Sequence, residues 1–495
     1  MQAIKPLLAA TRTSSPAQSE ASAQPAVRRD AVDTYSAGRS VRSDAALHAP
    51  PSFQVNGKTV VFGDIKKVDS TVVLDVASKK STVKAVVEIE LSEKGQPAIE
   101  LVPRASKVVV DGKEVDPASY SDVRDPGNES NFRVLGVELE PGVHRIEVEY
   151  ELTAGVRYSG DSVEFFARKS DLDNRSMDEQ YFPTNLEYDQ YPGSITFDIR
   201  GTQAEHRIMS NGEVSKVDGK LVVTFPAHYN TASLFLNVIN PARFSISEDV
   251  FKSSTGAQIP ITVYTPGNLV VGKLPERFGD GVGLKPPAPT VPNGDVPLSA
   301  EEAAHRGVEL TKQALAKHEK DIAPYPHPRV LVRVSGSGGM EYSGATETSL
   351  NALQHELHHQ WFARSAQPAN GNAGWIDEAL ASWHDNGYPT SRSEPWSARK
   401  LSGFPAWHRI TPQAAYSHGA SVMAYLDSVF APKGGLRPVL TKFFDAYTKK
   451  VFTTEQFLEF LKKEGEGLSF DFDALFKKQV YATGLHLMKK ASKAD

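Results

Sequence analysis

The chain has 495 residues, which is long for a single domain and predicts about two to four of them. With 40% hydrophobic and 23% charged residues and a formal net charge of −5, it has the composition of a soluble globular protein and gives no reason to expect a nucleic acid or an anionic membrane as partner. It contains no cysteine, which excludes disulfides and cysteine-ligated metals, so any zinc must be held by histidine and carboxylate groups.

Residues 1–50 are rich in Ala, Ser, Pro and Gln and poor in large apolar side chains, so we predict a disordered tail. A targeting or docking arm is the alternative. No stretch of about 18 apolar residues is present, which predicts a protein without a transmembrane segment. The apolar run at the start is too short for a secretory signal. From the chain as given we therefore expect a cytoplasmic location. Export by an unrecognised or already removed signal is the alternative.

A series of strands predicts a β domain over residues 51–245. Apolar residues alternate or run together over strand-length segments, most clearly in 83–91 and 144–150, and Asp111-Gly112 is typical of a hairpin turn. Strands at this spacing, with no helical pattern between them, indicate an antiparallel sandwich or a saddle-shaped sheet. The segment Tyr181-Phe182-Pro183 lies in a predicted loop; we interpret its rings as packing groups, with substrate contact as the alternative.

Residues 246–435 are predicted to form a second domain that combines strands with helices. A strand pair over 251–266 is followed by a loop rich in Gly and Pro at 272–298, which is either surface variation or a flap beside a functional site. Ser299 and Glu302 then have the pattern of a capping box, which starts a helix.

The end of the chain, residues 436–495, is predicted to be a short helical segment, in which Thr453 and Gln456 have the pattern of another capping box. Because strands come first and helices follow, the chain is predicted to be a multidomain α+β protein. No internal repeat is visible.

The pattern H-E-x-x-H, typical of zinc hydrolases, begins at His355. Apolar residues around it recur every three to four positions, which predicts a helix, and Thr348 or Ser349 is expected to cap its start. On such a helix His355 and His359 lie one turn apart on the same face and can reach one metal ion. Glu356 is placed to take a proton from a metal-bound water.

A catalytic zinc site needs three protein ligands and one open position. A third ligand is expected from a separate helix, predicted at Trp375–Trp383, in which Glu378 follows His359 after 18 intervening residues. The two motifs at this spacing are far more specific than H-E-x-x-H alone. We predict that His355, His359 and Glu378 bind one Zn²⁺ per chain.

Four motifs, all in the expected order, resemble those of the M1 family of zinc aminopeptidases, the gluzincin group that includes aminopeptidase N and leukotriene A4 hydrolase. H-E-L-H-H-Q-W-F from His355 resembles H-E-x-x-H-x-W-F, and W-I-D-E-A-L-A from Trp375 resembles W-L-N-E-G-F-A. G-G-M-E-Y from Gly338 resembles G-x-M-E-N, and Y-S-H-G from Tyr416 resembles Y-E-K-G. The resemblance implies a β domain, then a thermolysin-like, mainly helical zinc metallopeptidase domain, then further helices.

The resemblance also implies roles for the matching residues. Glu356 is then the general base, and Tyr416 donates a hydrogen bond to the oxyanion that forms at the scissile carbonyl. Glu341 binds the free α-amino group of the substrate, while two glycines before it let the substrate backbone approach an edge strand. The predicted substrate-binding residues are Gly338, Gly339, Met340 and Glu341.

Several residues depart from the family's motifs without removing a ligand or the base. Asp377 replaces Asn, Tyr342 replaces the last Asn of the amine-binding motif, Ser417-His418 replaces Glu-Lys, and Ala363-Arg364 stands where the family often has Gly-Asn. From the number of residues that follow Tyr416, we expect the large helical domain that covers the site in many relatives to be mostly missing. These features predict an altered substrate preference and an open cleft that admits longer peptides.

The leading hypothesis is a zinc aminopeptidase that acts on peptides or proteins with a free N-terminus. One alternative keeps the zinc and assigns an endopeptidase or another amide or epoxide hydrolase with an open cleft. Another alternative is a peptide-binding scaffold without turnover. The sequence leaves the oligomeric state open.

Other histidines and aromatic residues near the motifs are interpreted as structural. For example, His358 falls on a different helix face from His359. The histidines not expected to bind zinc are His358, His384, His408 and His418. The aromatic residues expected to pack in the core are Trp361, Phe362, Trp375 and Trp383.

Overall fold

The computed structural model describes residues 50–483, with gaps at 102, 125–130, 168–180, 186–188, 270, 272–296, 370–371, 405–406 and 408–410. The predicted tail, apart from Pro50, lies outside the described residues, as do most of the loop at 272–298 and His408. Within the described residues the protein is a multidomain α+β protein with six β-sheets and seven α-helices.

The largest sheet has eight strands. In spatial order they are Glu213–Val217, Lys220–Phe225, Gly193–Arg200, Asp64–Asp75, Lys80–Leu91, Gly142–Glu151, Ala105–Val110 and Lys113–Val115. Neighbours are antiparallel, as predicted, except that Gly193–Arg200 runs parallel to Asp64–Asp75. Alternation of apolar residues reveals which face is buried but not the direction of the neighbouring strand, so the sequence could not show this pair.

Alternating burial explains why these segments form strands. In Lys80–Leu91 every second side chain is buried, including Val83, Val87 and Ile89, while the side chains between them face outward. The turn at Asp111-Gly112 has positive φ at both residues, 49° and 79°, which confirms the predicted hairpin.

There are four smaller sheets of two to four strands within the described residues. The three-stranded sheet contains Phe53–Val55, Lys58–Val61 and Gln96–Pro97, and the four-stranded sheet contains Val156–Tyr158, Val163–Phe166, Leu236–Ile239 and Arg207–Ser210. Of the two-stranded sheets, one pairs Tyr120–Arg124 with Asn131–Leu135 and the other pairs Gln367–Pro368 with Val451–Phe452. Tyr181 and Phe182 both contact the buried ring of Phe165 edge-on, with centroids 6.0 and 6.1 Å away. These contacts support the interpretation of the two rings as packing groups.

A five-stranded sheet carries the residues that lead into the first motif. Its order is Phe244–Lys252, Gln258–Pro266, Val330–Val334, Ala345–Thr348 and Gly339–Tyr342. The last of these, Gly339–Tyr342, is called the edge strand below. It pairs in antiparallel fashion with Ala345–Thr348, so the short turn between them returns the chain towards the next helix.

The seven helices are α1 (Ala300–Asp321), α2 (Leu353–Phe362), α3 (Trp375–Asp385), α4 (Ala420–Val429), α5 (Leu436–Tyr447), α6 (Thr454–Glu464) and α7 (Phe472–Gln479). The predicted capping boxes at Ser299 and Thr453 are confirmed. The predicted cap of α2 is wrong: the helix begins after Ala352 without a side-chain cap, because Thr348 still belongs to a strand and the amide of Ser349 donates to Gly338 O.

Two main hydrophobic cores lie under these elements. One core consists mainly of side chains from the buried face of the eight-stranded sheet. The other consists of side chains from all seven helices together with aromatic residues near the start of the described chain, such as Phe53 and Phe62. The domain boundaries at 245 and 435 stay predictions. None of the helices within the described residues has the length and apolar character needed to cross a membrane.

The core contains the three tryptophans that the sequence assigned to packing. All three are fully buried, and each indole N–H finds an oxygen. The pairs are Trp361 with Ala323 O, Trp375 with Thr454 Oγ1 and Trp383 with Pro389 O, at 2.8–3.1 Å. With Phe362 also buried, this part of the interpretation is confirmed.

Candidate metal centre

Helices α2 and α3 bring three metal-binding side chains together. The Nε2 atoms of His355 and His359 are 3.1 Å apart. The Oε2 atom of Glu378, in the first turn of α3, lies 3.4 Å from His355 Nε2 and 3.6 Å from His359 Nε2. His359 and Glu378 are buried, whereas His355 is partly exposed, so the group of donors opens towards solvent on the His355 side.

This spacing fits zinc. In a tetrahedral site with bonds of about 2.0–2.1 Å, two ligand atoms lie about 3.3 Å apart, close to the three distances observed here. Two imidazole nitrogens and one carboxylate oxygen are also a donor set of known catalytic zinc sites. The geometry therefore leaves room for one zinc ion with a fourth, open position.

Asp385 contacts Nδ1 of His355, the ring nitrogen that does not face the other donors. Its Oδ2 lies 2.6 Å from Nδ1 of His355, and its other oxygen lies 3.2 Å from Nδ1 of His384. Burial lowers the pKa of His355, but the carboxylates around it, chiefly Asp385 and then Glu378 and Glu356, raise this pKa well above its usual value. A carboxylate on the distal nitrogen fixes the ring and strengthens the imidazole as a ligand.

The sequence contained a signal for Asp385 that was not used. Asp385 follows Glu378 by seven residues on α3, so both carboxylates lie on one helix face two turns apart. His359 has a different environment. Burial, and then the neighbouring His355, lower its pKa well below the usual value, so its ring is neutral near pH 7, the form that binds a metal ion.

Glu356 lies against the edge strand. Its side chain is almost fully buried, and the Cα of Gly339 packs on it so tightly that a Cβ there would lie 2.2 Å from Glu356 Oε1. The preceding Gly338 has a φ of +66°, which favours glycine. Both glycines of the motif are thus required by the local structure, one by contact and one by backbone conformation.

Glu341 also reaches this centre, but it has a partner that the sequence did not reveal. One of its carboxylate oxygens lies within 4.8 Å of an oxygen of Glu356 and a ring nitrogen of His359. Arg364, just beyond α2, donates from Nη2 to Glu341 Oε1 at 2.7 Å and from Nε to Glu341 O at 3.1 Å. Both side chains are more than nine-tenths buried. Met340, between Gly339 and Glu341, packs its side chain in a small apolar cluster.

Tyr416 approaches the donors from a third element. The residues Ala415–Gly419 form a single π-helical turn ahead of α4, an arrangement found often at functional sites. The Tyr416 hydroxyl donates to Glu378 Oε1 at 2.6 Å, and its ring stacks on His355 with centroids 6.3 Å apart. The structure thus brings all the predicted catalytic and ligand residues into one place.

The other histidines stand apart from the donors. His358 and His384 are buried and stack on each other at 4.9 Å, and His318 of α1 contacts both rings. His418 is bonded through Nε2 to Gln479 O at 2.8 Å. Among the described residues, none of these four joins a group of ligand atoms close enough to hold a metal ion.

Solved structures of known proteins share this fold. The chain superposes on the M1 zinc metallopeptidase of Deinococcus radiodurans with a TM-score of 0.53, at 16% identity over 85% of this chain and 95% of that one. This chain has the fold of the M1 zinc metallopeptidases. The yeast LTA4 hydrolase gives a TM-score of 0.56 at 14% identity, over 85% of this chain and 68% of that one.

Legionella pneumophila aminopeptidase A gives a TM-score of 0.56 at 14% identity, over 84% of this chain and 49% of that one. No protein-family profile and no curated protein match by sequence. The M1 fold is thus shown by structure. At such low identity the roles of individual residues rest on the geometry of this chain.

Proposed function

We propose that this protein is a zinc-dependent peptidase that removes residues from the N-terminus of peptides. One observation carries the proposal: Nε2 of His355, Nε2 of His359 and Oε2 of Glu378 form a triangle of 3.1–3.6 Å. These residues would hold one zinc ion. When bound, the ion would act as a Lewis acid on the scissile carbonyl and make water a stronger nucleophile.

The chain's own residues would handle the protons. Glu356 is a buried carboxylate on the same helix as the histidines, and it would take a proton from the attacking water and pass it to the leaving amine. Tyr416 would turn its hydroxyl from Glu378 towards the carbonyl oxygen as negative charge develops there. Hydrolysis then adds one water across the amide bond.

Glu341 would set where the chain is cut. A carboxylate at a fixed distance from the reacting centre can bind a substrate ammonium, so that the bond nearest the N-terminus is presented for cleavage. Glu341 lies within 4.8 Å of Glu356 and His359, and a Cβ at Gly338, just before the edge strand, would meet no atom within 4 Å. A variant of the Deinococcus enzyme has been solved with a bound Tyr-Ser-Ala substrate, which supports a peptide as the substrate class here.

The test is hydrolysis of aminoacyl reporters and short peptides by the full chain. We expect activity with about one zinc per chain, loss of activity on chelation and recovery on adding zinc. Glu356→Gln should bind zinc without turnover, whereas Glu459→Gln, which changes an exposed carboxylate on α6, should behave as wild type. Activity that survives chelation would contradict the proposal, and a zinc-loaded protein inactive on every peptide would favour the scaffold alternative.

An endopeptidase is the second candidate, and the Arg364–Glu341 pair favours it. A guanidinium at 2.7 Å from the carboxylate competes with a substrate amine for the same oxygen. Cleavage far from the N-terminus of a long peptide, read by mass spectrometry, would support this candidate over the aminopeptidase.

A further inference from the structure

Arg364 is a departure from the M1 motifs that contacts a predicted site residue directly, because its side chain lies against Glu341. It follows the end of α2 by two residues, and its amide donates to His359 O at 3.0 Å. The hydroxyl of Ser343, just after the edge strand, donates to Arg364 O at 3.0 Å. The backbone of Arg364 is therefore tied both to the metal-binding helix and to the segment that carries Glu341.

The side chain of Arg364 holds Glu341 at two points. Nη2 donates to the carboxylate oxygen Oε1 and Nε donates to the backbone oxygen, at 2.7 and 3.1 Å. The two side chains are only 6% and 3% exposed, so solvent screens this pair weakly. The fork of donors fixes both the position and the rotation of Glu341, which a lysine could not do.

The same contact changes the charge that a substrate meets. Glu341 and Glu356 have oxygens within 4.8 Å of each other, and two such carboxylates repel unless a cation lies beside them. Arg364 supplies that cation. A substrate ammonium approaching Glu341 is attracted by the carboxylate but repelled by the guanidinium, and because Coulomb energies fall only as the inverse of distance, the repulsion offsets part of the attraction.

We propose that Arg364 is a specificity-determining residue: by neutralising Glu341 it weakens the preference for a free N-terminal amine, so that the site also accepts peptides whose first nitrogen is acylated. This inference rests on the proposed peptidase function and deepens it. The substrate class is then peptides with either a charged amine or a neutral amide nitrogen next to Glu341.

The experiment compares one internally quenched peptide with a free N-terminus and the same peptide N-acetylated, using zinc-loaded full-length protein. We define the amine preference as kcat/KM for the free peptide divided by kcat/KM for the acetylated one, with the cleaved bond identified by mass spectrometry. Wild type is expected to show a preference of about tenfold or less. Arg364→Gln should raise it about tenfold, equivalent to about 1.4 kcal/mol, mainly through a lower KM for the free peptide.

Arg364→Lys keeps the charge and should retain the wild-type preference within about threefold, while Arg392→Gln on the surface should change nothing. A role limited to folding would lower kcat/KM for both peptides equally and leave the preference unchanged, which would overturn the proposal. A wild-type preference above about a thousandfold would also overturn it, even if Arg364→Gln did not fold. If zinc-loaded wild type cleaves neither peptide, the proposed function itself fails.

Discussion

The two halves of the candidate site are built in different ways. The metal half consists of His355, His359, Glu378 and Asp385, all on two consecutive helices. The substrate half consists of Glu341, Arg364 and Tyr416, which come from a strand, a helix end and a π-helical turn. Helical spacing positions the two residues on each helix, and the packing of α2 against α3 brings the two pairs together. The substrate half depends on tertiary contacts, so changes there are expected to alter substrate choice before they alter metal binding.

Glu356 lies between the two halves, and its loss should give the largest effect. Glu356→Gln preserves size but cannot accept a proton, so kcat should fall by roughly 10²–10⁴-fold. Zinc content and melting temperature should match wild type, because the residue is not one of the three donors. Loss of zinc along with activity would show that Glu356 supports the metal half instead.

Tyr416→Phe should reduce kcat by about 10²–10³-fold with little change in KM, because a donor to the developing oxyanion acts only in the transition state. Steady-state kinetics with an aminoacyl reporter measure this split. Tyr425→Phe on α4, which removes a hydroxyl from a partly buried tyrosine, is the matched control. If KM alone rises, Tyr416 belongs to substrate binding.

Gly339→Ala should reduce kcat by about 10²-fold, since the new Cβ would lie 2.2 Å from Glu356 Oε1 and displace the carboxylate by about an ångström. Zinc content should stay near one per chain. In Gly336→Ala the added carbon would meet only one atom, 3.8 Å away, so this variant should keep full activity. Equal losses of activity in the two variants would mean that any added side chain in this segment lowers turnover, whether or not it contacts Glu356.

Asp385→Asn should have the smallest effect on turnover. Losing the carboxylate on His355 Nδ1 should weaken zinc binding by about 10–100-fold, with activity restored by excess zinc. Competition with a fluorescent chelator measures the affinity. Asp445→Asn, on the exposed side of α5, should leave it unchanged. An activity loss that zinc does not restore would place Asp385 in the reaction rather than in metal binding.

The three predicted zinc ligands stand out in the sequence because they belong to two short motifs, whereas Asp385 lies outside both motifs. His355 and His359 are one turn apart, and the spacing to Glu378 is a property of the chain that can be counted. The same holds for strands with clean alternation and for the capping boxes at Ser299 and Thr453. The strands and the capping boxes depend on residues within a few positions of one another, and the two ligand motifs are short stretches at a fixed separation of 18 residues.

Two features that the sequence did not predict depend on distant partners. Arg364 and Glu341 are 23 residues apart and meet only when α2 packs beside the edge strand. The parallel pairing of Gly193–Arg200 with Asp64–Asp75 joins segments more than a hundred residues apart. The resemblance to a known family supplied Tyr416 and Glu341, because neither stands at a spacing that periodicity would single out.

The π-helical turn at Ala415–Gly419 also determines what insertions and deletions would do. Such a turn holds one residue more than an α-helical turn, and Gly419 packs so closely on α3 that a Cβ there would lie 2.8 Å from Ala379 Cβ. With the C-terminal side of the turn fixed in this way, deleting one residue would rotate Tyr416 about 100° around the helix axis and away from Glu378. Deletion of one residue here would therefore remove the contact between Tyr416 and Glu378 and leave the three candidate metal ligands in place.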